Sequence, residues 1–215
     1  MTTPFEELLE ELLRSDAFSV GARLHEFSHL AAEGAAALAE IWPSIPDPVR
    51  RTLVARLVEL AEADFEMDFG SVFRLGLQDE DADVRRAAID GLWEDERLDL
   101  IATFVQLLAQ DPVDAVRAAA ATALGRFVFM AECDELEKRH FVAIRSALES
   151  IVLDYNQPIE VARRALESLA HINDERVRGM IDWAYEQGNE LLRISAVFAM
   201  GRSADATWTE TVLAE

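Results

Sequence analysis

Cysteine is nearly absent from this sequence. Cys133 stands alone, so no internal disulfide can form and packing must hold the fold together. A single thiol with no histidine placed beside it reads as a packing residue, not a nucleophile. Basic residues are scarce as well: 20 Lys+Arg face 41 Asp+Glu, for a net charge of −21. Such a field repels phosphate backbones, and no Lys/Arg run is dense enough to oppose it, so no nucleic-acid partner is expected. Apolar runs long enough to cross a bilayer are missing, and no membrane partner is expected either. The first residues, through Phe5-Glu6-Glu7, are acidic where a signal peptide is basic, which points to a cytoplasmic protein. Strand-like alternation bounded by hairpin turns is missing too. The six prolines, at 4, 43, 46, 48, 112 and 158, interrupt no apolar periodic stretch. What remains is an all-α chain, opened at Thr3-Pro4-Phe5-Glu6 by a capping box.

A block of sequence recurs along the chain. It reads Val49-Arg50-Arg51-Thr52-Leu53, then Val84-Arg85-Arg86-Ala87-Ala88, then Val116-Arg117-Ala118-Ala119-Ala120. Looser copies are Val161-Ala162-Arg163-Arg164-Ala165 and Leu192-Arg193-Ile194-Ser195-Ala196. The anchors at 49, 84, 116, 161 and 192 are 35, 32, 45 and 31 residues apart, the period of a solenoid. Offsets 0, +4 and +8 fall on one helical face and are apolar or small. The acids ahead of the block, Asp47, Asp83, Asp114, Glu160 and Glu190, suit a helix N-terminus. A second apolar helix precedes each block, at about 33–42, 67–78, 97–110, 140–153 and 175–187. Such a helix pair cannot bury its apolar face alone, so the pairs stack. The long spacing marks an insertion at 127–139, either a surface loop or a longer helix, and Trp208–Leu213 looks like the first helix of a further pair.

Asp47-Pro48-Val49-Arg50, Asp114-Ala115-Val116-Arg117 and the Ala-x-x-x-Leu-Gly of residues 120–125, echoed at 196–201, resemble the HEAT-repeat family, in particular its short-repeat branch of phycobilisome-lyase type. The resemblance spans residues 33–215, with residues 1–32 as N-terminal capping helices. It implies one continuous right-handed α-solenoid of about five HEAT-like helix pairs plus a final helix, an armadillo-like superhelix. It also implies an Arg ladder of Arg50, Arg85, Arg117 and Arg193, with a gap at Ala162. For function it implies a non-catalytic scaffold or adaptor binding a protein or peptide on its concave face, with no cofactor. The other reading carried by the repeat type is a bilin-lyase-like tetrapyrrole-attachment factor.

The outward offsets of the inner helices nominate partner contacts. Trp93, flanked by Asp90 and Glu94 and followed from Arg86, suits a Lys/Arg-bearing peptide, so a basic partner is favoured. Arg163, Glu167 and Phe198 extend the same row, with Ile194 beside Phe198.

His25-Glu26-Phe27-Ser28-His29 matches the His-Glu-x-x-His of zinc peptidases, and a zinc-dependent hydrolase is the enzymatic alternative. Read as one helix with the apolar stripe Val20, Leu24, Phe27, Ala31, Ala35 and Leu38, the segment turns both histidines to solvent. A third ligand and a supporting sheet are missing, so no metal is expected; His25, His29 and Glu33 form at most a weak surface stripe.

Overall fold

Each anchor residue named above is buried. Val49, Leu53 and Leu57 share one stripe, as do Val84, Ala88 and Leu92; Val116, Ala120 and Leu124; Val161, Ala165 and Leu169; and Leu192, Ala196 and Met200. Burying a Val, Leu or Met side chain is worth about 1.5–3 kcal/mol, so the stripe supplies the main force that stacks the helices. Small residues within it let helices close on one another. At Gly125 an added Cβ would lie 2.7 Å from Ser168 Oγ on the neighbouring helix.

The computed structural model describes residues 4–14 and 21–215; Thr3 of the capping box and Val20 of the apolar stripe lie outside them. The described residues are helical without strands. The α-helices are α1 (Pro4–Arg14), α2 (Ala32–Ile41), α3 (Asp47–Ala63), α4 (Gly70–Gly76), α5 (Ala82–Gly91), α6 (Asp99–Gln110), α7 (Asp114–Glu132), α8 (Lys138–Leu153), α9 (Ile159–Leu169), α10 (Glu175–Glu186), α11 (Glu190–Arg202) and α12 (Thr209–Ala214). All five block helices (α3, α5, α7, α9, α11) and all five preceding helices (α2, α4, α6, α8, α10) form where the periodicity places them.

Two compact units make up the chain, Met1–Asp95 and Glu96–Glu215. In the first, α3 stacks on α5, and α4 packs against α5. In the second, α7, α9 and α11 stack in that order, with α6 and α8 against α7 and α10 against α11. The insertion proves to be a longer helix: α7 runs to Glu132, and the turn after it puts Asp134 at φ 60. The last segment folds as a 3-10 turn at Ala206–Trp208 followed by α12, which packs on α11.

The acids ahead of the blocks act differently from simple caps. Asp47, Asp83, Asp114, Glu160 and Glu190 all lie inside the first turn, where a negative charge complements the helix dipole. The caps themselves are Asp81 for α5 and Asn189 for α11, whose side chains accept from two backbone N–H groups each.

Candidate functional site

The His-Glu-x-x-His segment is not one helix. Gly21–Phe27 is a 3-10 helix, His29 sits beyond it with φ 52, and Glu33 belongs to the first turn of α2. Three residues per turn instead of 3.6, followed by a left-handed residue, break the shared face expected for His25, His29 and Glu33. Leu24 and Phe27 are buried as expected, while Ala31 is exposed. His29 is tied to the loop after α3: its N–H donates to Asp68 O (2.7 Å) and its Nε2 lies 2.8 Å from Glu66 O. Glu26, the base a peptidase would need, is gripped by Arg23 at 2.6 and 3.0 Å. That hydrogen-bonded guanidinium holds the Glu26 carboxyl below the ordinary range, opposite to what a proton acceptor requires. Among the described residues, no three His, Cys, Asp or Glu side chains gather into a metal site.

The Arg ladder is present in part. Arg50 is buried, lies 2.7 Å from Asp79 Oδ2 and donates to Asp79 Oδ1 (3.1 Å) and Ile45 O (2.5 Å). Asp79 also accepts from Trp42 Nε1 at 2.7 Å, so one carboxylate in the turn between α4 and α5 gathers α3 and the turn before it. Arg85 donates to the carbonyls of Asp79 and Glu80, and Arg117 to Leu108 O and the amide oxygen of Gln157. Arg193 is not a rung of this kind. It is exposed, lies over the Tyr185 ring and pairs with Glu215, because the element that follows its helix is α12.

Trp93 lies in the turn after α5, which ends at Gly91, so it is presented by a loop and not by a helical face. Gly91 allows this placement: a Cβ there would be 2.5 Å from Phe73 Cζ. Leu92 plugs the core and Trp93 keeps 51% of its surface exposed. Arg86 and Asp90 pair at 3.0 Å, both side chains half-exposed; partial loss of water pushes the Asp90 carboxyl up, against the Arg86 charge and with a smaller push from Glu62 of α3. With Glu94 exposed beside it, Trp93 is an aromatic ring in an acidic neighbourhood of the first unit.

In the second unit Arg163 and Glu167 do not face outward. Arg163 Nε donates to Ser195 Oγ (2.9 Å), and Ser195 Oγ donates to Glu167 Oε1 (2.5 Å), so the two residues stitch α9 to α11. Arg163 thereby fills the ladder position that Ala162 leaves empty. Phe198 is exposed as expected, with Ile194 one turn before it. Sequence reasoning missed Phe129 beside them. Phe129 is exposed on the extended part of α7, its ring 5.2 Å from that of His171, and Arg202 lies 5.2 Å over the Phe198 ring. Burial holds His171 below its ordinary pKa, with the nearby Arg202 charge adding to the effect. Also missed was a cavity of about 450 Å³ lined by Val152, Leu153, Tyr155, Arg176, Met180 and Trp183, with Gly179 at its wall. The Tyr155 and Trp183 rings meet there at 5.2 Å. Two aromatics outside the repeat block were the available signal.

The sequence model of the family described as HEAT repeats matches residues 71–139. No curated protein gives a sequence match to the chain. Among solved structures the fold is similar to the complex of CpcE and CpcF of phycocyanin lyase from Nostoc sp. PCC7120, with TM-score 0.53 and 17% identity over 79% of this chain and 99% of that one. It is also similar to a designed armadillo repeat protein in complex with the peptide (KR)4, with TM-score 0.54 and 15% identity over 94% and 100% of the two chains. A second designed armadillo repeat protein gives 0.52 and 16% over 92% and 98%. At these identities the likeness is one of fold. The recurring Val-Arg helices, their buried stripe and the match over residues 71–139 identify HEAT repeats within a chain of all-α, armadillo-like solenoid fold.

Proposed function

We propose that the chain is a non-catalytic scaffold in the cytoplasm that binds a basic segment of a partner protein, with Trp93 as the anchor. The observation that carries this reading is the half-exposed indole held out by Gly91 and Leu92, with Asp90 and Glu94 beside it in sequence and Glu62 of α3 near Asp90. A Lys or Arg side chain laid over that ring gains cation–π attraction, worth about 0.5–2 kcal/mol depending on desolvation. The surrounding carboxylates and the net charge of −21 steer a basic partner in and make binding fall with salt. Binding of a basic peptide by the designed armadillo protein supports the general mode, a short cationic segment laid on stacked helices. The likeness to the lyase complex extends to the fold alone and carries no step of chemistry.

The test is fluorescence anisotropy with a labelled octapeptide of alternating lysine and arginine. Wild-type protein should bind it, more weakly as salt rises, and Trp93→Ala should weaken binding by about 3–30-fold. Equal affinity of the two proteins would show that Trp93 is not the anchor.

A further inference from the structure

The stripe of α11 that faces away from its buried side is unpartnered. Leu191, Ile194 and Phe198 are exposed, the last two at 52% and 50%, and Arg202 continues the same 3-4-4 spacing along the helix. Gly201 leaves the surface beside Arg202 open, since a Cβ there would meet nothing within 4 Å. Phe129, 52% exposed, borders the stripe through His171.

The charge of this stripe is opposite to that of the molecule. Arg163, Arg164, Arg178 and Arg193 of the same unit each pair with a carboxylate. Among the described residues, no carboxylate pairs with Arg202, whose guanidinium lies over the Phe198 ring and near His171. Two acids of the neighbouring elements are engaged elsewhere: Glu167 of α9 by Arg163, Arg164 and Ser195, and Asp205 of the turn after α11 by Arg178 and Thr207. In a chain with 41 acids and 20 bases, an arginine left unmatched beside three apolar side chains is an outlier.

We propose that this face of α11 docks an acidic, leucine-rich segment of a partner protein, whose apolar side chains pack on Ile194 and Phe198 and whose carboxylate meets Arg202. The apolar stripe supplies desolvation, and a carboxylate brought beside Arg202 forms a charge-assisted, two-point hydrogen bond on a guanidinium already oriented by the ring. A long polyanion would suffer repulsion from the rest of the chain; a short segment with one or two acids meets mainly the local cation. This site is separate from the Trp93 turn and takes the opposite charge.

The test uses the full chain, ¹⁵N-labelled, and three acetylated octapeptides: alternating leucine and glutamate, alternating leucine and lysine, and alternating serine and glutamate. The leucine–glutamate peptide should shift the amide resonances of residues 191–202 and bind most tightly. Arg202→Glu and Phe198→Ala should each weaken it by about tenfold or more. Both side chains are exposed, so both variants should keep the wild-type melting temperature, and Trp93→Ala should leave this affinity unchanged. The proposal is overturned if Arg202→Glu binds equally well, if the lysine peptide binds as tightly, or if none of the peptides moves residues 191–202. It is also overturned if sedimentation shows a dimer that Phe198→Ala dissolves, since a second copy would then cover the stripe. Loss of the lysine–arginine octapeptide in Trp93→Ala is read separately, so either proposal can fail without the other.

Discussion

Replacing Arg50 with alanine tests what the ladder contributes. Arg50 is 5% exposed and Asp79 6%. Without Arg50, the Asp79 carboxylate keeps two neutral donors, Trp42 Nε1 at 2.7 Å and Asp81 N–H at 2.8 Å, and loses the guanidinium that pairs with it. Removing one partner of a buried ion pair costs about 3–5 kcal/mol, because the remaining charge stays out of water. The neighbouring Arg51 is the internal control. It pairs with Asp81, but its side chain is 47% exposed, and such pairs are worth about 0.2–1 kcal/mol. Hydrogen exchange of peptides from α3 and α5 reads the difference locally. Arg50→Ala should lower protection by roughly a hundred- to few-thousand-fold, and Arg51→Ala by less than about sixfold. Replacing the pair together, Arg50→Met with Asp79→Leu, should recover only part of the loss. The Trp42 and Asp81 donors then lack their acceptor, at about 1–3 kcal/mol for each buried group left unsatisfied. Equal protection in Arg50→Ala and Arg51→Ala would refute the argument that burial of this pair, and not its mere presence, holds the first unit.

Further outcomes are expected elsewhere in the chain. Gly125→Ala should lower the melting temperature, at a cost of about 1–3 kcal/mol, because its Cβ falls 2.7 Å from Ser168 Oγ and 3.3 Å from Ser168 Cα. Gly179→Ala, inside α10 with nothing within 4 Å, should raise the melting temperature through about 0.5–1 kcal/mol of added stability, and thermal melts showing the reverse signs would contradict the packing described. The hydrogen bond from Arg51 holds the Asp81 carboxyl below its ordinary range, helped by the N–H groups of Val84 and Asp83. A depressed folded pKa gives stability that is present above the unfolded value near about 3.9 and is lost as pH falls through the folded one, so Asp81→Asn should flatten the acid limb of the first unit's urea midpoint against pH. Protein purified without a histidine tag should carry substoichiometric zinc. His29→Ala should leave that unchanged while speeding proteolysis of the 64–69 loop, which loses its contact at Glu66 O.

How far the sequence could be read depended on where each residue finds its partners. The buried stripe of Val49, Val84, Val116, Val161 and Leu192 was legible because a stacked helix must repeat its apolar face every three to four residues, whatever it stacks against. The ladder was legible at Arg50 and Arg117 for the same reason: each reaches a neighbouring turn that the repeat supplies again and again. The segment around His29 was not. Nothing between Ala22 and Ala32 breaks a helix by composition; the break comes from Asp68, whose backbone takes a hydrogen bond from His29 N–H and gives one to Ser28 Oγ across about 40 residues. Arg163 was misread in the same way: Glu160 and Glu167 of its own helix hold it, but what turns it inward is Ser195, 32 residues on. Phe129 escaped notice because it sits on an extension that no other repeat has, and the character of Arg202 is defined by the carboxylate it lacks. A motif read along one helix therefore predicts the packed side of a repeat protein well. The open side is decided by which charges the neighbouring helices leave unmatched, and that is where binding by this chain should be sought.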